Sequence, residues 1–201
     1  YVLIIGDVSG KGTSAAFHMS QMKGIFHSLI QLDLSPAQFM IRSNAALGKC
    51  LERNHFITAS IFIINVAKQQ ICHSRAGHVP TLLYRAKDKS AEYILFDGLG
   101  LGILRNNQYE NHVQERTFTY ESGDIMVLIT DGIVEAKDPT GEQFGFDRVK
   151  KLVENNPSKS PKEIQTILID SLHKFVGGGG MIDDDYSLMI VKFAQPQHTA
   201  S

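Results

Sequence analysis

The stretch "VLIIGDVSGKGTSAA" (residues 2–16) runs from an apolar strand through a glycine-rich turn into a helix-forming segment. Two kinds of fold own such a stretch. In one, backbone amides of the turn cradle a nucleotide's phosphates beside a parallel sheet. In the other, Asp7 stands at the carboxyl end of a buried strand, next to glycines that let backbone approach closely, and is offered to a hard cation. A phosphate loop needs G-x-x-x-x-G-K-[ST], with the hydroxyl directly after lysine. Here Gly12 follows Gly10-Lys11, Thr13 comes one place late, and Ile5 occupies the first glycine position. The nucleotide reading fails at two defining positions. Asp7 alone has a plainer reading, as an acid that satisfies turn amides.

The remaining chain argues against a parallel sheet. Ala15, Met19, Met22, Phe26 and Leu29 recur at helical spacing and predict a helix over 13–32. Ser35-Pro36, a cap followed by a first-turn proline, starts a second helix to about residue 53, with Phe39, Met40, Ala46, Leu47 and Leu51 on its apolar face. Short β-rich runs follow at 56–66, 69–76, 81–86, 92–96, 112–120 and 124–130. Helices return at 144–155 and 161–176, and "YSLMIVKF" (186–193) is a last strand. Short links between strands imply antiparallel pairing, and segregated helices imply an α+β fold. Gly177–Gly180 reads as a flexible joint and 195–201 as a disordered tail, leaving one domain over 1–194.

Within that frame Asp7 has company. "LITDGIVEA" is a second apolar strand ending in an acid, Asp131-Gly132, and "MIDDDYSLMIV" mirrors it, with Asp183, Asp184 and Asp185 just before a strand. Were the three strands neighbours, their carboxylates would converge on one rim and repel one another unless cations filled the space. The all-oxygen set suits magnesium or manganese better than zinc. Two such ions sharing a carboxylate form a hydrolytic site for phosphate esters. Cys50, within a helix, and Cys72, within a strand, carry no nucleophile-loop signature.

Twenty Lys and Arg against 21 Asp and Glu give a net charge of −1, which makes no electrostatic case for nucleic acid or an anionic membrane. No apolar run is long enough to span a bilayer, and two cysteines make no disulfide framework, so a cytoplasmic setting is expected. The chain opens on "YVLII" without an initiating Met, the expectation for a fragment with sequence upstream.

"GDVSGKG", "AGHVP", "LGLGI", "GDIMVLITDGIVEAKDPTGEQFG" and "DDDYSLMIV", in that order across residues 2–193, resemble the bacterial branch of the metal-dependent, protein phosphatase 2C-type family. Within it they are closest to the sporulation protein E-like branch that regulates sigma factors. The resemblance implies a four-layer α-β-β-α sandwich of two antiparallel sheets flanked by helix pairs. It implies a serine/threonine protein phosphatase that works through metal-bound water on two Mn2+ or Mg2+ ions. Asp7 matches the bridging ligand, Val8 the residue that binds the second ion through its carbonyl, and Asp131 a ligand of the first ion. Alignment on Ser187 makes Asp184 the last ligand, Asp185 its neighbour, and Asp183 the alternative. The implied substrate is a small phosphorylated regulator, a STAS-type anti-sigma-factor antagonist, and the implied full-length chain carries an upstream sensor or receiver domain. A homodimer is compatible with this. The rival is a degenerate phosphatase fold that serves as a protein-binding module.

The chain departs from the family pattern at Lys11, where many relatives have histidine; it either attracts phosphate or is solvated. The family's upstream acidic strand is expected in sequence that precedes this fragment, and the phosphate-gripping arginine of eukaryotic relatives has no counterpart. Glu135 is either a neighbour of the ligands or a charge at a helix N-terminus. His78 reads as a structural residue bonded to loop backbone. Gly98, Gly100 and Gly102 read as a sharp loop with unusual backbone angles, and Arg148, Lys150 and Lys151 as a solvated helix face. The helical hairpin over 13–53, joined to Asp7 through Gly10 and Gly12, is the expected regulated element.

Overall fold

The structure, a computed structural model, describes residues 1–177, 180, 182 and 184–194. Asp183, two glycines of the 177–180 run and the tail 195–201 lie outside it. The chain divides into two units, Tyr1–His78 with Phe96–Thr119, and Val79–Leu95 with Tyr120 onward.

The first unit holds strands β1 (Val2–Val8), β2 (Ile57–Asn65) and β3 (Gln70–Ala76), and helices α1 (Gly12–Leu29) and α2 (Pro36–Cys50). A later strand, β6 (Glu115–Thr119), completes an antiparallel sheet in the order β1-β2-β3-β6. Ser35 caps α2 as the sequence predicts: its hydroxyl accepts from the Gln38 amide, and the Gln38 side chain accepts from Ser35 N–H, a full capping box. Phe39, Met40 and Leu47 of α2 and Phe26 of α1 pack with Ile57, Ala59 and Ile61 of β2. Each large side chain so buried contributes about 1.5–3 kcal/mol.

Two details differ from the sequence reading. The buried stripe of α1 runs through His18 and Phe26, with Met22, Ile25 and Leu29 partly buried, whereas Met19 is exposed. In β1, only Ile5 is fully buried, as suits an edge strand.

In the second unit, β4 (Thr81–Arg85), β5 (Ser90–Ile94), β7 (Ile125–Ile129) and β8 (Leu188–Lys192) pair antiparallel in the order β5-β4-β7-β8. β7 is buried at every residue, which is why it reads as an unbroken apolar run. Helices α4 (Gly145–Glu154) and α5 (Pro161–Val176) supply Val149, Val153, Ile164, Leu168 and Leu172 to the core over Leu82, Ile125, Val127 and Ile129. A four-residue helical turn, α3 (Asp131–Val134), follows β7 directly.

The α+β class with two antiparallel sheets and their helices is therefore borne out. The short links are not all hairpins, however: from β3 to β4, β5 to β6 and β6 to β7 the chain changes sheet. The glycine loop of 98–102 is set mainly by close approach. A Cβ at Gly98 would stand 2.0 Å from the Arg75 carbonyl oxygen, and of its three glycines only Gly102 has a positive φ, 88°. Buried Asn44 ties down the C-terminal end of this loop, donating to the Leu104 carbonyl and accepting from Gly102 N–H.

Candidate metal centre

Asp131 ends the run that leaves β7, and Asp184 precedes the run that enters β8. The two strands are antiparallel neighbours with Ile129 opposite Leu188. Beyond that pair the strands are laced by Thr130 N–H to the Ser187 carbonyl (3.1 Å) and Ser187 N–H to the Thr130 hydroxyl (2.8 Å). Acids at the sheet's rim on adjacent strands are thus delivered to one place. They line a small cleft together with Gly132, Glu135, Ala136 and Lys137.

Gly132 is the joint that lets this happen. A Cβ there would lie 2.6 Å from the Asp185 carbonyl oxygen and 3.2 Å from that of Asp184, both backbone atoms. Only a glycine allows the 184–185 segment to lie so close to the start of α3. Asp185 N–H donates to Asp184 Oδ1 at 2.9 Å, which orients that carboxylate. Oxygen donors on a partly exposed rim, one half-buried and one exposed, fit a hard, partly hydrated cation.

Asp7 lies in the first unit, opposite Thr58 in the β1–β2 register. Its strand is an edge of the sheet β1-β2-β3-β6, so of the three acid-bearing strands only β7 and β8 are hydrogen-bonded to each other. The backbone around Asp7 is closely held. A Cβ at Gly6 would meet the Thr58 carbonyl oxygen at 2.7 Å, and Ser9 exchanges hydrogen bonds with Phe56, its N–H donating to the carbonyl and its Oγ accepting from the amide. Gly10 and Gly12 take positive φ values of 97° and 76°, so the turn after Asp7 does require glycine. Val8 ends the strand opposite Ile57, and Lys11 is the exposed N-cap of α1.

His78 is buried, with its Nδ1 2.9 Å from Thr58 Oγ1. Glu135 sits at the C-terminal end of α3, not at a helix N-terminus, and lines the cleft beside Asp131. Arg148 is tied down, paired with Glu142 Oε1 at 2.6 Å and lying over the Phe175 ring. Gly180 is more than part of a joint, since a Cβ there would overlap the Val176 and Lys137 carbonyl oxygens. Sequence reasoning missed Gly132, Thr130 and Lys137. The last places a cation on an otherwise acidic cleft, and no spacing marked it. The loop after it is organised by Asp138, whose Oδ1 accepts from the Thr140 hydroxyl and the amides of Thr140 and Glu142; these bonds hold its carboxyl below the usual range.

Comparison with known proteins adds a lineage to this geometry. The model of the stage II sporulation protein E (SpoIIE) family matches residues 1–194. Phosphoserine phosphatase RsbU of Bacillus subtilis (strain 168) is 30% identical over 190 residues, covering 94% of this chain and 55% of RsbU. The chain spans about half the length of the curated relatives it matches. The solved SiaA-PP2C domain of Pseudomonas aeruginosa is similar at a TM-score of 0.82 and 16% identity, over 96% of this chain and 76% of that one. RsbX in complex with magnesium is similar at 0.66 and 18% identity, over 94% and 79%. At these identities the two structures speak for the fold alone.

Proposed function

Because the chain belongs to the SpoIIE family, we propose that it is a metal-dependent phosphatase domain that hydrolyses phosphoserine or phosphothreonine on a small regulatory protein. The observation that carries this reading is the meeting of Asp131 and Asp184 in one oxygen-lined cleft. In the proposed site Asp131 and Asp184 hold divalent cations together with Asp7 and the Val8 carbonyl; the reading requires Asp7 to share its ion with the other two. Mn2+ and Mg2+ are the proposed ions, in keeping with the all-oxygen donor set. When bound, such ions activate water and neutralise charge on the phosphoryl group.

The protein's own contribution is to position and to tune. Gly132 and the Thr130–Ser187 bonds fix the separation of two ligands. Lys137, and Lys11 at the N-cap of α1, supply positive charge toward an anionic substrate as point charges. Glu135 orients water or ligand from the cleft wall. RsbU is named a phosphoserine phosphatase, and with the family resemblance this favours a STAS-type phosphoprotein as substrate. We place the domain in the cytoplasm as the output of a longer signalling chain, with the α1–α2 hairpin as the regulated element. Among the described residues no helix is long and apolar enough to cross a membrane.

The test is release of phosphate from a phosphoserine-bearing STAS protein with Mn2+, with Mg2+ and with chelator. Chelation abolishes turnover, and Asp131→Asn and Asp184→Asn each lower it about 10³-fold, the scale of several kcal/mol of lost charge stabilisation. Turnover that survives in both variants, or none in the native protein at any metal concentration, overturns the reading and favours a binding module.

A further inference from the structure

Away from the acidic cleft, His18, Glu52 and His55 each offer one ligand atom, and these atoms lie within 4.8 Å of one another. Among the described residues no other set of three histidine, cysteine or acidic side chains is gathered so tightly. We propose that these three side chains bind a zinc-class transition-metal ion that ties α1 to the loop following α2.

The chemistry of the set is the first reason. Two imidazoles and a carboxylate are a recurrent zinc donor set with one position left for water, and nitrogen donors favour zinc over magnesium or manganese. The second reason is how the histidines are held. His18 occupies a place on the buried stripe of α1 where an apolar residue is the norm, and it is only 5% exposed. Its Nδ1 lies 3.2 Å from Gln21 Oε1, an acceptor one turn away. Donation of the Nδ1 proton to that amide fixes the tautomer and leaves the Nε2 lone pair for a metal, the arrangement that usually accompanies histidine ligation. Ser14 Oγ is 3.4 Å from Nε2, a weak competitor.

His55 supplies the independent observation. Its Nδ1 is buried from solvent and has no hydrogen-bond partner. The nearest carboxylate oxygen, Glu52 Oε2, stands at 3.6 Å, beyond hydrogen-bond length. The two imidazole rings lie with centroids 4.9 Å apart, their planes tilted by 50°. Tetrahedral bonds of about 2.0–2.1 Å set neighbouring ligand atoms roughly 3.4 Å apart. Ring rotation and the exposed Glu52 side chain have only the last ångström or so to close. Such a metal would also brace the turn after Asp7, because a Cβ at Gly10 would meet His55 Nε2 at 3.0 Å. The inference stands apart from the phosphatase reading and uses none of its ligands.

The experiment is a Co2+ titration of the purified protein in excess Mg2+, followed by Zn2+ displacement, in a Cys50→Ser background that removes the exposed thiol. The expected result is one Co2+ per chain with the visible absorption of a tetrahedral site, displaced by one Zn2+. Zinc at 100 times its Kd is then expected to raise Tm by about 5–10 °C. Glu52→Gln, on an exposed side chain that folding does not need, and His55→Gln weaken Co2+ binding at least about tenfold. Absence of Co2+ and Zn2+ binding in excess Mg2+, or affinities unchanged in both variants, overturns the proposal. Either result leaves phosphate release with Mn2+ or Mg2+ as a separate question.

Discussion

Replacing Gly132 with alanine tests whether the close approach of two loops makes the acidic site. Helix propensity alone favours the change by up to about 1 kcal/mol. The added Cβ, however, would lie 2.6 Å from the Asp185 carbonyl oxygen, where ordinary contact begins at 3.4 Å, so a backbone segment must retreat by 3.4 − 2.6 = 0.8 Å. Because Ser187 is bonded to Thr130, the retreat falls on residues 184–186, which include a proposed ligand. Overpacking of this kind costs about 1–3 kcal/mol. A shift near 1 Å in a reacting geometry costs about 10²-fold in rate. Gly132→Ala is therefore expected to keep its fold, lose about 1–2 kcal/mol in urea unfolding, lose about 100-fold in metal-dependent turnover and need more Mn2+ for half-maximal activity. Gly24→Ala is the control: it lies in mid-α1 with nothing within 4 Å of its would-be Cβ, and it is expected to gain stability with unchanged turnover. Native turnover and native Mn2+ dependence in Gly132→Ala would refute the reasoning.

His73 is fully buried in β3, stacked on Phe62 with ring centroids 4.0 Å apart, and neither ring nitrogen has a hydrogen-bond partner. Burial, helped by the Arg75 charge, lowers its pKa from 6.5 to about 3. Below pH 6.5 the unfolded chain takes a proton that the fold refuses, so stability falls as pH drops through the window from 6.5 to about 3, by up to about 1.4 kcal/mol per unit. His73→Phe is expected to flatten this slope between pH 7 and 5 in urea unfolding; an unchanged slope would contradict the assignment. Asp124 is the second buried group: it accepts from Arg85 at 3.0 Å, from Ala86 N–H at 2.9 Å and from Glu121 N–H at 3.1 Å. Asp124→Ala strands those donors at the entrance to β7 and is expected to cost about 3 kcal/mol, measured by the unfolding midpoint at constant m.

The parts of this molecule that were legible in the sequence are those set by local rules. Ser35-Pro36 announces α2 and proves to be part of a full capping box. "DIMVLIT" and "YSLMIVKF" read as strands, and their antiparallel pairing brings Asp131 to Asp184. What was not legible depends on contacts between distant segments. A four-residue helix such as α3 has no period to detect, and Gly132 looks like any turn glycine until the 184–185 backbone lies against it. The apolar spacing of α1 pointed to Met19, whereas burial chose the adjacent His18, whose ring lies against that of His55, a residue from beyond α2. Strand period likewise says nothing about which sheet a strand joins, so the departures of β4, β6 and β7 from simple hairpins were invisible.

The most direct measurement is anomalous diffraction at the manganese edge from crystals of the protein grown with Mn2+. The account predicts manganese bonded by carboxylate oxygens of Asp7, Asp131 and Asp184 together. Manganese held by Asp131 and Asp184 without Asp7, or none at the cleft beside Gly132, would contradict it.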